Sequence, residues 1–277
     1  MAIKRILLPF CDAAGLKPIV NAAFVLGQSF KAQVRGLFAQ PVQGMAFLPD
    51  ENMSSEKLMR AIERASRERA GRLKQARETF EDGVNRFADV EADFVSVNGA
   101  EGASLGSAVR LADLAVLGSG ARYAAGGWSE VRDAALFGSG RPVLFVPPAG
   151  LDQSSFARVV IAWKDSLEAA RAIAAAHPFL LLAKEVHLVT VGETDQSIPA
   201  LEEVMQYLQL HHAEVRSNAI PVSGRNVGDA LLDRCDALGG ALLVMGAYSH
   251  WRWRERVFGG VTEHVLHKAR MPVLMAH

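Results

Sequence analysis

The chain begins twice. The segment KRILLPFCDAA, from Lys4, is answered by ARVVIAWKDSLEAA, from Ala157. Each is a short β-rich apolar run with basic flanks that ends in an aspartate, Asp12 or Asp165, and passes into a helical pattern. The closings match in the same order: LADLAVLGSG with RPVLFVPP, then ALGGALLVMGAYS with MPVLMAH. Ordered self-similarity constrains the fold more than any single motif, because each copy must then be a unit with its own packed core. The economical reading is two copies of one domain, residues 1–148 and 156–277. Between them lie Pro147, Pro148, Ala149, Gly150 and small polar residues up to Ser155, which neither extend a strand nor start a packed helix.

The 277 residues suit two such domains. A chain that is 50% hydrophobic and 22% charged is globular, which excludes disordered and collagenous classes. Its 30 acidic and 30 basic side chains cancel, so no global field draws it to nucleic acid or anionic lipid, and nucleic acid is not expected as a partner. Cys11 and Cys235 stand in opposite halves at no metal-like spacing, which suits apolar fillers in a reducing compartment. The opening apolar stretch stops at Cys11 and Asp12, too soon for a signal-peptide core. AIAAAHPFLLLA, broken by His177 and Pro178, falls short of the roughly 18 residues a spanning helix needs. A cytoplasmic protein without membrane contact is expected.

Within the second copy, apolar runs of strand length alternate with helical patterns. The strands are Val159 to Trp163, Val186 to Val191, Glu214 to Val222, Ala241 to Met245 and Val273 to Met275; helices start near Ser166, Ile198, Val227 and Gly260. Parallel neighbours need a helical crossover, so the pattern predicts an α/β, doubly wound, five-stranded parallel sheet in each copy. Asp165 and Glu168 are spaced as a capping box for the first helix. The first copy is longer by one amphipathic helix, from Ser54 to about Phe87, preceded by a Gln40 to Met53 loop suited to packing over the sheet or to serving as a lid.

In open parallel sheets, ligands sit beyond the carboxyl ends of the strands where the winding reverses, because helix amino termini converge there. Both aspartate turns and both glycine turns fall at those ends. The most informative stretch is Gly246, Ala247, Tyr248, Ser249, then nine residues, then Gly259, Gly260, Val261, Thr262. Gly246 is expected to let the backbone turn sharply off a buried strand. Gly259 and Gly260 are expected to admit a phosphate to the next helix's amides, with the Thr262 hydroxyl beside it.

GAYSHWRWRERVFGGVTEHVLHKARMPVLMAH resembles, over 32 residues, the closing frame of the universal stress proteins: a glycine, two residues, a glycine, nine residues, a glycine with serine or threonine, a helix, and a final Pro-Val-Leu strand. With its duplication the chain looks like a tandem member. The resemblance implies an adenine nucleotide alpha hydrolase-like sheet in each half and, in one branch of the family, ATP with magnesium between the first strand's aspartate turn and the glycine loop. Carried over, the phosphates fall to Gly246, Ser249, Gly259, Gly260 and Thr262, with His250 beside them. The base or ribose falls to Ala162, Trp163 and Asp165, and adenine to the backbone of Thr190 and Val191.

The frame also departs from the family. Ser249 stands at the second glycine, Gly260 where the hydroxyl belongs, and Lys164 at the aspartate, with Asp165 one place late. The first half departs further: its Gly118 to Arg122 turn leads to Ala134, Ala135, Leu136 and Phe137 without a glycine pair, and Cys11 takes the aspartate's place. Its expected role is structural. It would pair with the second half through Pro142 to Val146 and Pro272 to Met275, a pseudo-dimer within one chain. A homodimer is a further assembly open to such a chain.

Other groups are read more plainly. His264 and His267, with His250 or His277 nearby, have no carboxylate or cysteine at ligand spacing, so they read as solvated helix histidines and no metal is expected. Trp251 to Arg256 interleaves aromatic and basic residues and suits either a clamp on ATP or a cover for the junction between halves. There is no nucleophile elbow, no Walker lysine and no Gly-x-Gly-x-x-Gly after the first strand, so no catalytic residue is assigned and an enzyme is not expected. The reading is a cytoplasmic stress-response protein acting through association and nucleotide occupancy. Its rivals are an ATP-free scaffold whose pocket is filled by Lys164 and the tryptophan loop, and an adenylating ATP pyrophosphatase, whose phosphate loop would have to replace Lys164, Asp165 and Ser166.

Overall fold

The computed structural model describes residues 2–10, 16–39, 55–97, 105–120, 128–192, 198–211, 214–221, 224, 226–239, 242–247 and 260–277. The first half runs β1 (Arg5–Phe10), α1 (Leu16–Phe30), β2 (Gln33–Ala39), α2 (Ser55–Arg86), β3 (Ala92–Val97), α3 (Leu105–Arg110), β4 (Leu114–Gly118), α4 (Trp128–Leu136) and β5 (Val143–Val146). After a 3-10 turn at Gln153–Phe156, the second half repeats the order: β6 (Arg158–Ala162), α5 (Leu167–Leu180), β7 (Glu185–Val191), α6 (Ile198–Gln209), β8 (Val215–Ile220), α7 (Val227–Ala237), β9 (Leu242–Gly246), α8 (Val261–Lys268) and β10 (Val273–Ala276). Strand ends differ from the sequence pattern by a residue or two. Trp163 lies just past β6, although its N–H still donates to the Val189 carbonyl at 2.8 Å.

The strands form one sheet in the order β3-β2-β1-β4-β5-β10-β9-β6-β7-β8. Read inward from either edge, the winding is the same in both halves, and neighbours are parallel within each. The two expected sheets are therefore joined into a single ten-stranded one. The junction is antiparallel, with Val273 opposite Phe145, Leu274 opposite Leu144 and Met275 opposite Val143. All six side chains are at most 1% exposed. Strands this apolar would be aggregation-prone as free edges, and pairing them with each other removes two such edges at once.

Helix α1 buries nine of its 15 residues. Helix α2 spans 32 residues but buries only Ala76, Phe80 and Gly83, so its carboxyl-terminal part alone docks. Phe80 meets Phe10, Phe24 and Phe94 with ring centroids 6.2, 5.3 and 5.4 Å apart. The helix comes this close because Gly83 has no side chain: a Cβ there would stand 2.6 Å from Phe24 Cε2. The amino-terminal part lies in solvent with exposed i,i+4 pairs such as Arg60–Glu56 and Arg67–Glu63. The expected 40–53 loop falls outside the described residues.

Helix α5 corrects one expectation. Its cap is Ser166, whose hydroxyl accepts from the Ala169 N–H at 3.2 Å, and the Asp165–Glu168 capping box does not form. The backbone is still extended at Ser166 (φ −162°, ψ 157°), so the helix starts one residue later than the box requires. Cys235 fills the α7 core as a buried thiol whose pKa is pushed up to about 12, chiefly by desolvation. Among the described residues, no helix is long and apolar enough to cross a membrane.

Candidate functional site

In the second half the winding reverses between β6 and β9, and the carboxyl ends of β6, β7 and β9 lie on one edge of the sheet with the amino termini of α7 and α8. Ala162, which ends β6, and Trp163 just past it are half-buried against the core, while Lys164 and Asp165 are exposed. At the end of β7, Val191 is half-buried; Thr190 is 1% exposed and its hydroxyl has no hydrogen-bond partner among the described residues. An unpartnered buried hydroxyl at this edge is costly to keep unless something else satisfies it.

Gly246 ends β9, and its role differs from the expected sharp turn. It has no positive φ. A Cβ at Gly246 would stand 2.6 Å from the Ala169 nitrogen and 2.7 Å from the Glu168 carbonyl carbon. The residue is a glycine because the first turn of α5 packs directly on the strand. Close approach, not backbone freedom, explains it.

Helix α8 begins differently. Its N-cap is Gly260, extended at φ −148°, ψ 175°, with no side-chain cap, and among the described residues a Cβ there would meet no atom within 4 Å. Gly260 itself supplies no cap, and the first-turn amides lie at the positive end of the helix dipole. They open on a cleft of about 550 Å³ lined by Asn226 and Val227 from the start of α7 and by Gly260, Val261, Glu263, His264, His267 and Lys268. Asn226 caps α7 through its side chain, which accepts from Gly228 N–H at 2.8 Å. Gly228 in turn lets α8 approach, since a Cβ would lie 2.7 Å from His264 Cδ2.

The cleft's charges are paired. His264 Nε2 lies 2.7 Å from Asp229 Oδ1, and Lys268 Nζ lies 3.1 Å from the same oxygen. The hydrogen bonds from His264 and then Lys268 hold the Asp229 carboxyl below its usual range. Glu263, on the first turn of α8, meets Arg132 of the first half at 2.9 Å and His267 at 3.7 Å. The expectation of solvated helix histidines is thus corrected for His264, whose side chain is 19% exposed and bridges two helices; His267 is 47% exposed.

Of the residues singled out in the sequence, Gly260 lines the cleft, and Ala162, Trp163, Thr190, Val191 and Gly246 lie at the same edge of the sheet. Thr262, on the first turn of α8, is 6% exposed and is not among the residues that line the cleft. Ser249, His250, Gly259 and the Trp251 to Arg256 run lie outside the described residues, as does Cys11. Asn226, Val227, Glu263 and Lys268 were not foreseen; only the Asn226-x-x-Asp229 helix start hinted at one of them. Among the described residues no group of three histidine, cysteine or acidic side chains could hold a metal.

The first half treats the equivalent place differently. Its α4 begins at Trp128, 6% exposed, whose indole N–H donates to the Gly118 carbonyl at 3.3 Å. What remains is a crevice of about 30 Å³ between the halves, lined by Ser119, Trp128 and Arg132 on one side and Glu263 and His267 on the other.

No family model and no curated protein matches the sequence. Solved structures do match. A universal stress protein from Archaeoglobus fulgidus superposes with a TM-score of 0.72 at 17% identity, over 98% of this chain and 97% of that one. A Pseudomonas aeruginosa protein provisionally named a universal stress protein reaches 0.57 at 13% identity, over 99% and 92%. The cytoplasmic domain of a prokaryotic cation chloride cotransporter reaches 0.52 at 12% identity, over 98% and 94%. At such identities the likeness establishes the fold, a tandem α/β arrangement extending through the whole chain.

Proposed function

We propose that this chain, which has the fold of the tandem universal stress proteins, is a cytoplasmic stress-response protein of that family that holds an adenine nucleotide in its second half and turns over no substrate. One observation carries the reading: the amino terminus of α8, begun by a glycine that supplies no side-chain cap, borders a cleft of about 550 Å³ at the edge where this topology gathers ligands. Phosphates would lie against the amides at Gly260 and Val261. Adenine and ribose would lie toward Ala162, Trp163 and Thr190, where the buried hydroxyl wants a partner. Magnesium would arrive with the triphosphate and be held largely by it.

Binding without turnover is supported by the state of the described carboxylates at the cleft. Glu263 is engaged by Arg132, and Asp229 by His264 and Lys268, so neither is poised as a general base. The ATP-free scaffold is favoured by one feature, Glu263 itself, a negative charge on the first turn of α8 that already complements the helix dipole. Calorimetric titration of Mg-ATP into nucleotide-stripped protein separates the two. The expected result is one site per chain; no heat, together with no adenylate released on acid denaturation, removes the nucleotide reading. In Gly260→Asp the new side chain caps α8, so stability should rise by a few tenths of a kcal/mol while Mg-ATP affinity falls about tenfold or more. Unchanged affinity would show that the phosphates bind elsewhere.

A further inference from the structure

Glu263 stands where an anion site would least want a carboxylate, and it is kept there with a partner from the other half. Its side chain is 14% exposed and that of Arg132 is 13% exposed. Glu263 Oε1 lies 2.9 Å from Arg132 Nη1, Oε2 lies 3.3 Å from the same nitrogen, and Arg132 Nε donates to Asp133 Oδ1 at 2.9 Å. Pairs buried to this degree contribute little net stability, because desolvation offsets most of the attraction. The position of this pair suggests another use. Glu263 and His267 form the wall between the narrow crevice that holds Arg132 and the open cleft that begins at Gly260.

We infer that Arg132 is a positioning residue for the second half's nucleotide site: it neutralises Glu263 and draws that carboxylate toward the junction, leaving the amino terminus of α8 free to receive phosphate. This rests on the nucleotide reading above and adds that the first half supplies a charge without which the site would repel its own ligand. His267, half-exposed at 3.7 Å, reaches the same carboxylate less closely and cannot replace a buried guanidinium that is always charged. The role makes an asymmetric prediction. Removing the arginine exposes a negative charge beside the phosphates; removing the glutamate leaves no such charge.

The test is calorimetric titration of Mg-ATP into the full-length chain as wild type, Arg132→Gln, Glu263→Gln and the double variant. Arg132→Gln should bind on the order of tenfold more weakly, and Glu263→Gln at least as tightly as wild type. The double variant should recover to within about threefold of wild type, a coupling that loss of packing alone would not produce. The inference is overturned if Arg132→Gln binds as wild type does, if Glu263→Gln weakens binding as much as Arg132→Gln, or if the double variant stays as weak as the arginine variant. Should Arg132→Gln fail to fold, Glu263→Gln alone decides: tighter or equal binding supports the role, weaker binding overturns it. A wild-type chain that takes up no Mg-ATP overturns the site and this role together; a wild-type chain that binds while the variants behave identically overturns the role of Arg132 only.

Discussion

The two halves share one winding and differ in what they place at the same corner. The first half begins α4 with a buried tryptophan and concentrates its aromatic mass around Phe10, Phe24, Phe80, Phe87 and Phe94. The second begins α8 with a bare glycine and, among the described residues, leaves a cleft of about 550 Å³ beside the starts of α7 and α8. Topology thus provides a crevice twice, and side-chain volume decides whether it is filled as core or left as a cleft. The same contrast appears in the helix after the second strand, 32 residues in the first half and 12 in the second.

The sharpest way to break this contrast is to hollow the aromatic core. Phe80→Ala should cost about 3–5 kcal/mol in chemical denaturation. A loss below about 1 kcal/mol would mean that the first half is not held by its aromatic cluster. Next in size is the close approach at Gly246. Gly246→Val drives a side chain into the backbone of Glu168 and Ala169 and should cost about 1–3 kcal/mol, lowering the melting temperature by several degrees. An unchanged melt would show that α5 is not seated on β9.

The smallest effect concerns protons at the far end of α5. Burial, and then the neighbouring His211 ring with its centroid 4.1 Å away, hold the His177 imidazole below its usual range. The folded chain therefore prefers neutral His177, whereas the unfolded chain protonates near the ordinary value of about 6.5. The stability present at neutral pH is lost as pH falls from there toward the depressed folded value. His177→Gln should flatten the difference between melts at pH 7.5 and 5.5, and a slope identical to wild type would sink the assignment.

Much of the fold was legible because apolar runs, glycine turns and the two matched openings are local signals. The duplicated order of strands and helices followed from them, as did the long α2. The misreadings are instructive. A glycine that permits a turn and a glycine that permits close packing look alike in sequence, so Gly246 was given the wrong reason. Ser166 displaced the cap from Asp165 because one residue of extended backbone carries no periodic signature. The partner of His264 is Asp229, 35 positions away, and that of Glu263 is Arg132, 131 positions away. Which helix ends converge on the cleft depends on where the winding turns, which is why Asn226 and Lys268 escaped notice.

The antiparallel seam between β5 and β10 has a consequence for assembly. Both partners of that seam belong to one polypeptide, so its closure is unimolecular and does not depend on how much protein is present. Dilution, the ordinary lever for taking a dimer apart, has no grip on it. A single-copy relative offered from solution must compete with a neighbour that is always within reach.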